Sequence, residues 1–192
     1  MAGQQIKSAS ITNLDLLDAS GSPILANSAG YGAPGKLVEQ SDFCTTTLAG
    51  LVSTLSTYNT VRVPWTAKIK SMELSADAAL DTSTGLVVDV GAYYTDSLVE
   101  GLINPALSGT SVGSAVNQFA AASTILQSSA KGPVSCLIPG TFTTLMKNEE
   151  LWLALGLSKN PGGFCDIVVA VHTAATSGGT GGALGLQVRY VE

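Results

Sequence analysis

Charged side chains are scarce in this sequence. Asp, Glu, Lys and Arg together make up 12% of the 192 residues, about half of their share in an average soluble domain. The nine basic residues are scattered, and the densest group is Arg62, Lys68 and Lys70. A nucleic-acid interface requires a basic stripe. Lys68 and Lys70 have the same parity on a predicted strand, so the sequence predicts that they lie on a solvated sheet face, and it predicts no nucleic-acid partner.

Long apolar runs are also missing, although the mean hydropathy is +0.34. Apolar residues come in short alternating runs, and a membrane-spanning helix requires about 18 or more consecutive apolar residues. The sequence therefore predicts no helical membrane span and no membrane partner. The first residues lack the basic segment and apolar run of a secretory signal, so we expect no export by that route.

Histidine occurs once, as His172, within a predicted strand. Asp166 is six residues away on that strand, or about 20 Å along it, and the chain has no Gly-x-Ser-x-Gly elbow. A Ser-His-Asp site needs the carboxylate beside the imidazole ring. His172 is therefore predicted to be a structural histidine in a strand, with its hydrogen-bonding groups satisfied.

Carboxylate pairs do not indicate a catalytic or metal site either. The candidate pairs are Asp77 with Asp81, Asp89 with Asp96, and Glu149 with Glu150. All but Asp89 lie in or beside turns, where carboxylates cap backbone amides or face water, and residues 77–81 lack the spacing of a calcium loop. The Gly-rich segment 177–182 is not followed by the Lys-Ser or Lys-Thr of a phosphate-binding loop. We expect no enzyme, no metal and no cofactor.

The three cysteines, Cys44, Cys136 and Cys165, match neither a CxxC pair nor a zinc cluster. An odd number cannot all pair within one chain. The favoured interpretation is reduced, partly buried thiols in a protein assembled in the cytosol, and the alternative is one bridge formed in an oxidising medium.

Alternating polarity predicts most of the architecture. Residues 86–94 and 164–173 each place branched apolar side chains on one face, and residues 184–191 place Leu, Leu, Val and Tyr on one face. The opposite face of residues 86–94, with Asp89 and Tyr93, is half-polar, which is typical of an antiparallel sheet that has only one face covered. Residues 151–158 alternate Leu with other residues and are predicted to be a strand, followed by a turn at residues 159–163. Pro64 marks a change of chain direction.

Two further segments are predicted to lie outside this pattern. Residues 114–130 show spacings closer to a helix, with Phe119 as a core anchor. Residues 1–48 are predicted to be an extended arm with a short strand at 10–17, because the Gly- and Pro-rich stretch 28–35 excludes a helix or an interior strand. The fold predicted for residues 49–192 is a mainly β, antiparallel, jelly-roll-like sandwich of seven to nine strands with one short helix.

Two stretches resemble head-associated or decoration proteins of tailed bacteriophages. The first runs over residues 61–97 and includes Asp-Thr-Ser-Thr-Gly and Val-Asp-Val-Gly-Ala-Tyr-Tyr; the second runs from Asn-Glu-Glu-Leu-Trp-Leu-Ala-Leu-Gly at 148–156 to Val-Arg-Tyr-Val at 188–191. The resemblance covers about half of the chain. It implies a β-sandwich that coats or cements a capsid, commonly as a trimer, and it transfers no catalytic or binding residue.

The leading hypothesis is a non-enzymatic capsid decoration or cement protein, assembled in the host cytoplasm and located in the virion. Its partners would be the major capsid protein or other virion proteins and further copies of itself, with a trimer favoured. One alternative is a tail, neck or fibre-base component. Another is a carbohydrate-binding module, for which Trp65 and Trp152 would be exposed stacking platforms; burial of Trp152 against its own chain is favoured over exposure.

Overall fold

The fold is described here from a computed structural model, which covers residues 5–7, 37–47, 51–52, 54, 56–76, 80–81, 85–94, 119–124, 126–127, 131–135, 146–176 and 182–192. These residues contain nine strands and one short α-helix. The strands are β1 (Gln5–Lys7), β2 (Leu37–Thr46), β3 (Thr57–Pro64), β4 (Lys68–Ala76), β5 (Val87–Tyr94), β6 (Ala120–Ser123), β7 (Lys131–Ser135), β8 (Phe164–Thr173) and β9 (Gly182–Val191), and the helix is α1 (Leu151–Ala154).

The strands form two sheets packed face to face. A five-stranded sheet has the order β1-β3-β8-β5-β6, and a four-stranded sheet has the order β2-β9-β4-β7. Every neighbouring pair is antiparallel except β1 with β3. This confirms the predicted mainly β, antiparallel sandwich. In each sheet a strand late in the sequence, β8 or β9, lies between strands from earlier in the chain.

The core lies between the sheets and follows the predicted alternation. The inward faces of β5, β8 and β9 were assigned correctly, since these side chains are buried in one cluster: Val88, Val90, Ala92, Ile167, Val169, Val171, Leu184, Leu186, Val188 and Tyr190. Phe119 is also buried there, as predicted, and its backbone N–H donates to the Val90 carbonyl at 2.9 Å.

The chain crosses between the sheets at Pro64, where a change of direction was predicted. β3 belongs to the five-stranded sheet and β4 to the four-stranded sheet. The corner is closed by a hydrogen bond from the Ala67 N–H to the Pro64 carbonyl at 3.0 Å. Trp65 at the corner is buried and lies 5.6 Å from the ring of Tyr94.

The strand predicted over residues 151–158 is wrong. Helix α1 occupies its start, with Leu151 and Ala154 buried and Leu153 48% exposed. The run is apolar at nearly every position, so it fits a helical period as well as a period of two. Hydrogen bonds at the corner between the sheets favour the helix. The Leu151 N–H donates to the Ala67 carbonyl at 2.8 Å, and the Trp152 N–H donates to the Trp65 carbonyl at 3.2 Å.

The predicted turn at residues 159–163 is present, with Gly162 at φ 78° and Gly163 at φ 69°. These left-handed conformations suit glycine. The turn leads from α1 into β8, so the hairpin predicted between two strands here is wrong.

The helix predicted over residues 114–130 is also wrong where the structure describes it. Residues 120–123 form strand β6, which pairs with β5 at Val88 and Val90. Alanine favours a helix on its own, but propensity is a weak signal over four residues, and pairing with β5 overrides it here. Residues 114–118 lie outside the described residues.

Within the first 48 residues the structure places two strands that sequence reasoning missed. β1 pairs with β3, and β2 pairs with β9 along ten residues. The strand predicted at 10–17 and the Gly- and Pro-rich stretch 28–35 lie outside the described residues. The boundary at residue 48 stays a prediction.

Candidate interaction surface

The outer faces of the two sheets differ in exposure. On the five-stranded sheet, the half-polar outward face expected for β5 is buried, including Asp89 and Tyr93. Asp166, Val168 and Ala170 of β8 are buried on the same side. This face is therefore not available as a contact surface. Its charged groups have partners within the chain, whereas the buried Tyr93 hydroxyl has no hydrogen-bond partner among the described residues.

Arg62 and Asp166 form a buried ion pair on that face. They lie directly opposite each other on β3 and β8, and the guanidinium donates from Nε to Asp166 Oδ1 at 2.6 Å and from Nη2 to Oδ2 at 3.1 Å. The Asn59 amide donates to the same Oδ2 at 3.4 Å. Each carboxylate oxygen is thus occupied, and the pair holds the two strands in register.

His172 is satisfied, as predicted, but its partner comes from a neighbouring strand. Its Nδ1 lies 2.8 Å from Oδ2 of Asp89, which is buried on β5. Asp166 is engaged by Arg62 instead. The antiparallel pairing of β5 with β8 produces this contact between residues 83 positions apart, which the spacing along β8 alone could not indicate.

Two of the carboxylates considered in the sequence have local partners in the described residues. Asp81 is buried and accepts a hydrogen bond from the Leu86 N–H at 2.6 Å, which is the capping role expected of a turn carboxylate. Glu150 accepts from the Trp152 indole Nε1–H at 2.6 Å. Asp77 and Asp96 lie outside the described residues.

Neither tryptophan forms an exposed platform for a sugar. Trp65 is buried at the corner, and Trp152 is half-buried and packs against the core. Packing was the favoured expectation for Trp152, and it is confirmed.

Cys44 and Cys165 are buried thiols, consistent with the favoured interpretation. The Cys44 Sγ–H donates to the Asn59 carbonyl at 3.2 Å. Burial raises the pKa of Cys44 to about 12, with a smaller contribution from Asp42, and burial raises the pKa of Cys165 well above its ordinary value. Both thiols therefore stay protonated at neutral pH. Cys136 lies outside the described residues.

The outer face of the four-stranded sheet is open. We call it the exposed sheet face: Leu37, Glu39, Ser41, Phe43 and Thr45 of β2, Gly185, Gln187 and Arg189 of β9, and Ser71, Glu73 and Ser75 of β4. Leu37 and Phe43 are 59% and 57% exposed, and most other members are small and polar. Sequence reasoning missed this face because it missed β2.

One ion pair on the exposed sheet face is internal. Arg189 Nε donates to Glu39 Oε2 at 2.6 Å, and the Gln187 amide donates to Glu39 Oε1 at 2.7 Å. The hydrogen bond and charge of Glu39 raise the pKa of Arg189. Arg189 and Glu39 thus neutralise each other in the middle of the face.

A shallow depression of about 400 Å³ lies beside this ion pair. Its floor is Gly185, which has no side chain, and its lining residues include Phe43, Glu73, Ser75 and Asp42. We call it the Gly185 depression. The Asp42 carboxylate accepts a hydrogen bond from the backbone N–H of Phe43 at 2.8 Å.

The described residues do not form a metal site or a membrane-spanning helix. Among the described residues, no three His, Cys, Asp or Glu side chains come together as a metal site requires. In the same part of the chain, no helix has the length and apolarity needed to cross a membrane.

Comparison with solved structures identifies a protein of similar fold. No protein-family model matches the chain, and no curated protein matches it. A chain in the capsid of Ralstonia phage GP4 is similar with a TM-score of 0.62 and 18% identity, covering 98% of each chain. A chain of the cyanophage Pam1 capsid asymmetric unit has a TM-score of 0.46 and 16% identity, covering 85% of this chain and 90% of that one. At the level of the fold, the first likeness confirms the resemblance to phage head proteins.

Proposed function

We propose that this protein is a non-enzymatic structural component of a bacteriophage particle, bound to the outside of the capsid shell as a decoration or cement protein. The observation that carries the proposal is the likeness of its fold, over 98% of both chains, to a chain in the capsid of Ralstonia phage GP4. The proposed partners are the major capsid protein and further copies of this chain, with a trimer favoured.

The exposed sheet face supports this role physically. Its Ser, Thr and Gly side chains lose little conformational entropy when a neighbour covers them, and its central Arg189 and Glu39 are already paired. Leu37 and Phe43 supply apolar area that gains from being covered. A modest contact of this kind becomes firm attachment when many copies bind one shell.

Shell binding tests the proposal directly. Purified protein is mixed with empty heads of the encoding phage that lack it, and bound and free protein are separated by sedimentation. We expect saturable binding at a fixed number of copies per shell, and sedimentation equilibrium of the free protein should give a trimer. Protein that stays monomeric and remains in the supernatant at every concentration would refute the proposed function.

A further inference from the structure

The Gly185 depression is a gap of one side chain in an otherwise continuous face. Phe43, Gly185 and Ser75 lie side by side in one row across β2, β9 and β4. An added Cβ at Gly185 would lie 2.9 Å from Ser75 Oγ. Any residue larger than glycine would therefore fill the gap that the neighbouring strands leave open.

The next row places an unpaired carboxylate at the edge of this gap. Glu73 lies opposite Gln187, and none of the described residues forms a hydrogen bond or ion pair with its side chain. The charge of Glu73 contributes to raising the pKa of Arg189, the nearest cation by register, but Arg189 is hydrogen-bonded to Glu39 at 2.6 Å and not to Glu73. The depression thus combines a local negative charge with the exposed ring of Phe43 on its other side.

This arrangement matches the two parts of a basic side chain. An aliphatic stem packs on an aromatic ring while its charged head reaches a carboxylate, and the ring face itself attracts a cation. The chain carries a net charge of −5, so a partner that complements this face supplies positive charge.

We propose that the Gly185 depression receives a lysine or arginine side chain of the shell protein, with its cationic head at Glu73 and its stem against Phe43. This contact rests on the proposed function, since it names how the protein attaches to the shell. It orients each copy, because an inserted side chain fixes position where the rest of the face is flat.

Matched variants test the contact in the shell-binding titration. Glu73→Gln should weaken binding about tenfold, because the inserted cation then loses its counter-charge at a covered site. Phe43→Ala and Gly185→Ala should each weaken binding at least threefold. The controls are Leu153→Ala, an exposed apolar residue on α1 and outside the exposed sheet face, and Glu149→Gln, a carboxylate outside the depression; both should bind within twofold of the unchanged protein.

The outcomes separate this inference from the proposed function. If the unchanged protein does not bind shells, the proposed function fails. If it binds and Glu73→Gln and Phe43→Ala bind equally well, the function stands and the depression is not the contact. Binding of the unchanged protein should also weaken with added salt, and Glu73→Gln should reduce that dependence.

A cross-link identifies the partner residue. Phe43→p-benzoylphenylalanine, irradiated in assembled particles, should join to a shell-protein peptide that contains Lys or Arg, whereas the same change at Leu37 should not select that peptide. A cross-linked peptide without a basic residue would overturn the proposed contact.

Discussion

Replacing Asp166 with Asn should destabilise the fold by about 3–5 kcal/mol, the cost of removing one partner from a buried ion pair. Arg62 and Asp166 are only 8% and 2% exposed, and the guanidinium donates to both carboxylate oxygens. Asparagine keeps the size of the side chain but removes the charge. The Arg62 guanidinium would then be buried without a counter-charge, and the loss is a large part of a typical domain stability of about 5–15 kcal/mol.

The chain contains a matched control for this effect of burial. Arg189 and Glu39 have the same Nε to carboxylate distance of 2.6 Å, but they are 44% and 48% exposed. Because water and salt screen exposed pairs, Glu39→Gln should leave the midpoint of unfolding almost unchanged. The double variant Arg62→Met with Asp166→Leu should recover much of the stability lost in Asp166→Asn, since it buries no unpaired charge. The Asn59 amide loses its hydrogen bond to Asp166 in this variant, so the recovery should be incomplete.

Urea unfolding at pH 7, followed by tryptophan fluorescence, measures both effects. The buried Trp65 reports loss of the corner between the sheets, and the free energy of unfolding comes from linear extrapolation. Equal shifts for Asp166→Asn and Glu39→Gln would refute the argument, because they would show that burial does not set the cost. A double variant as unstable as Asp166→Asn would also contradict it.

Three further predictions follow from the core. Leu151→Ala should cost about 2–5 kcal/mol through cavity formation, whereas Leu153→Ala, at an exposed position, should shift the thermal midpoint little; equal effects would argue against α1. Cys44 and Cys165 should resist thiol reagents in the folded state and react after unfolding in guanidinium chloride, because burial keeps them protonated; rapid labelling of two or more thiols per folded chain would contradict this. Burial, with a smaller contribution from Cys44, raises the pKa of Tyr58 from 10.0 to about 12, so the folded state holds the hydroxyl proton more tightly than the unfolded state. The free energy of unfolding should therefore fall as the pH rises from 10 to about 12. The same pH dependence in Tyr58→Phe would contradict this prediction.

Sequence patterns predicted the strands whose inward face is uniformly apolar. β8 and β9 place Ile, Val, Leu and Tyr side chains on the core at every second position, so a period of two identifies them. The same pattern suggested that the opposite face of β5 meets solvent, and this is wrong. Asp89 is buried there because His172 of the adjacent strand satisfies it, and such cross-strand partners are not visible in a single segment.

β2 was not predicted from the sequence, because it has no uniformly apolar face. Its inward positions include Gln40 and Asp42 as well as Val38 and Cys44, while its outward positions include Leu37 and Phe43. Neither face is uniformly apolar, so alternation of polarity gives no signal. The exposed sheet face and the Gly185 depression depend on β2, which explains why the sequence did not indicate the candidate surface.

The mistaken strand at residues 151–158 shows a limit of short apolar runs. A run of four or five apolar residues fits the helical period and the strand period of two equally well. Hydrogen bonds with a distant segment then determine which structure forms. Here the carbonyls of Trp65 and Ala67 receive the first helical amides, and those residues lie more than 80 positions earlier in the chain.

The central positions of β8 and β9 have a consequence for biosynthesis. Each of these strands pairs on both sides with strands that are synthesised much earlier. β2 and β4 both pair with β9, so they cannot join one sheet until residues 182–191 have been made. The nascent chain must therefore remain without either complete sheet through most of translation, and the sandwich closes in a late step dominated by non-local pairing, which is intrinsically slow. A chain that ends before β9 lacks a central strand of the four-stranded sheet, and not an edge strand, so incomplete copies should fail to fold.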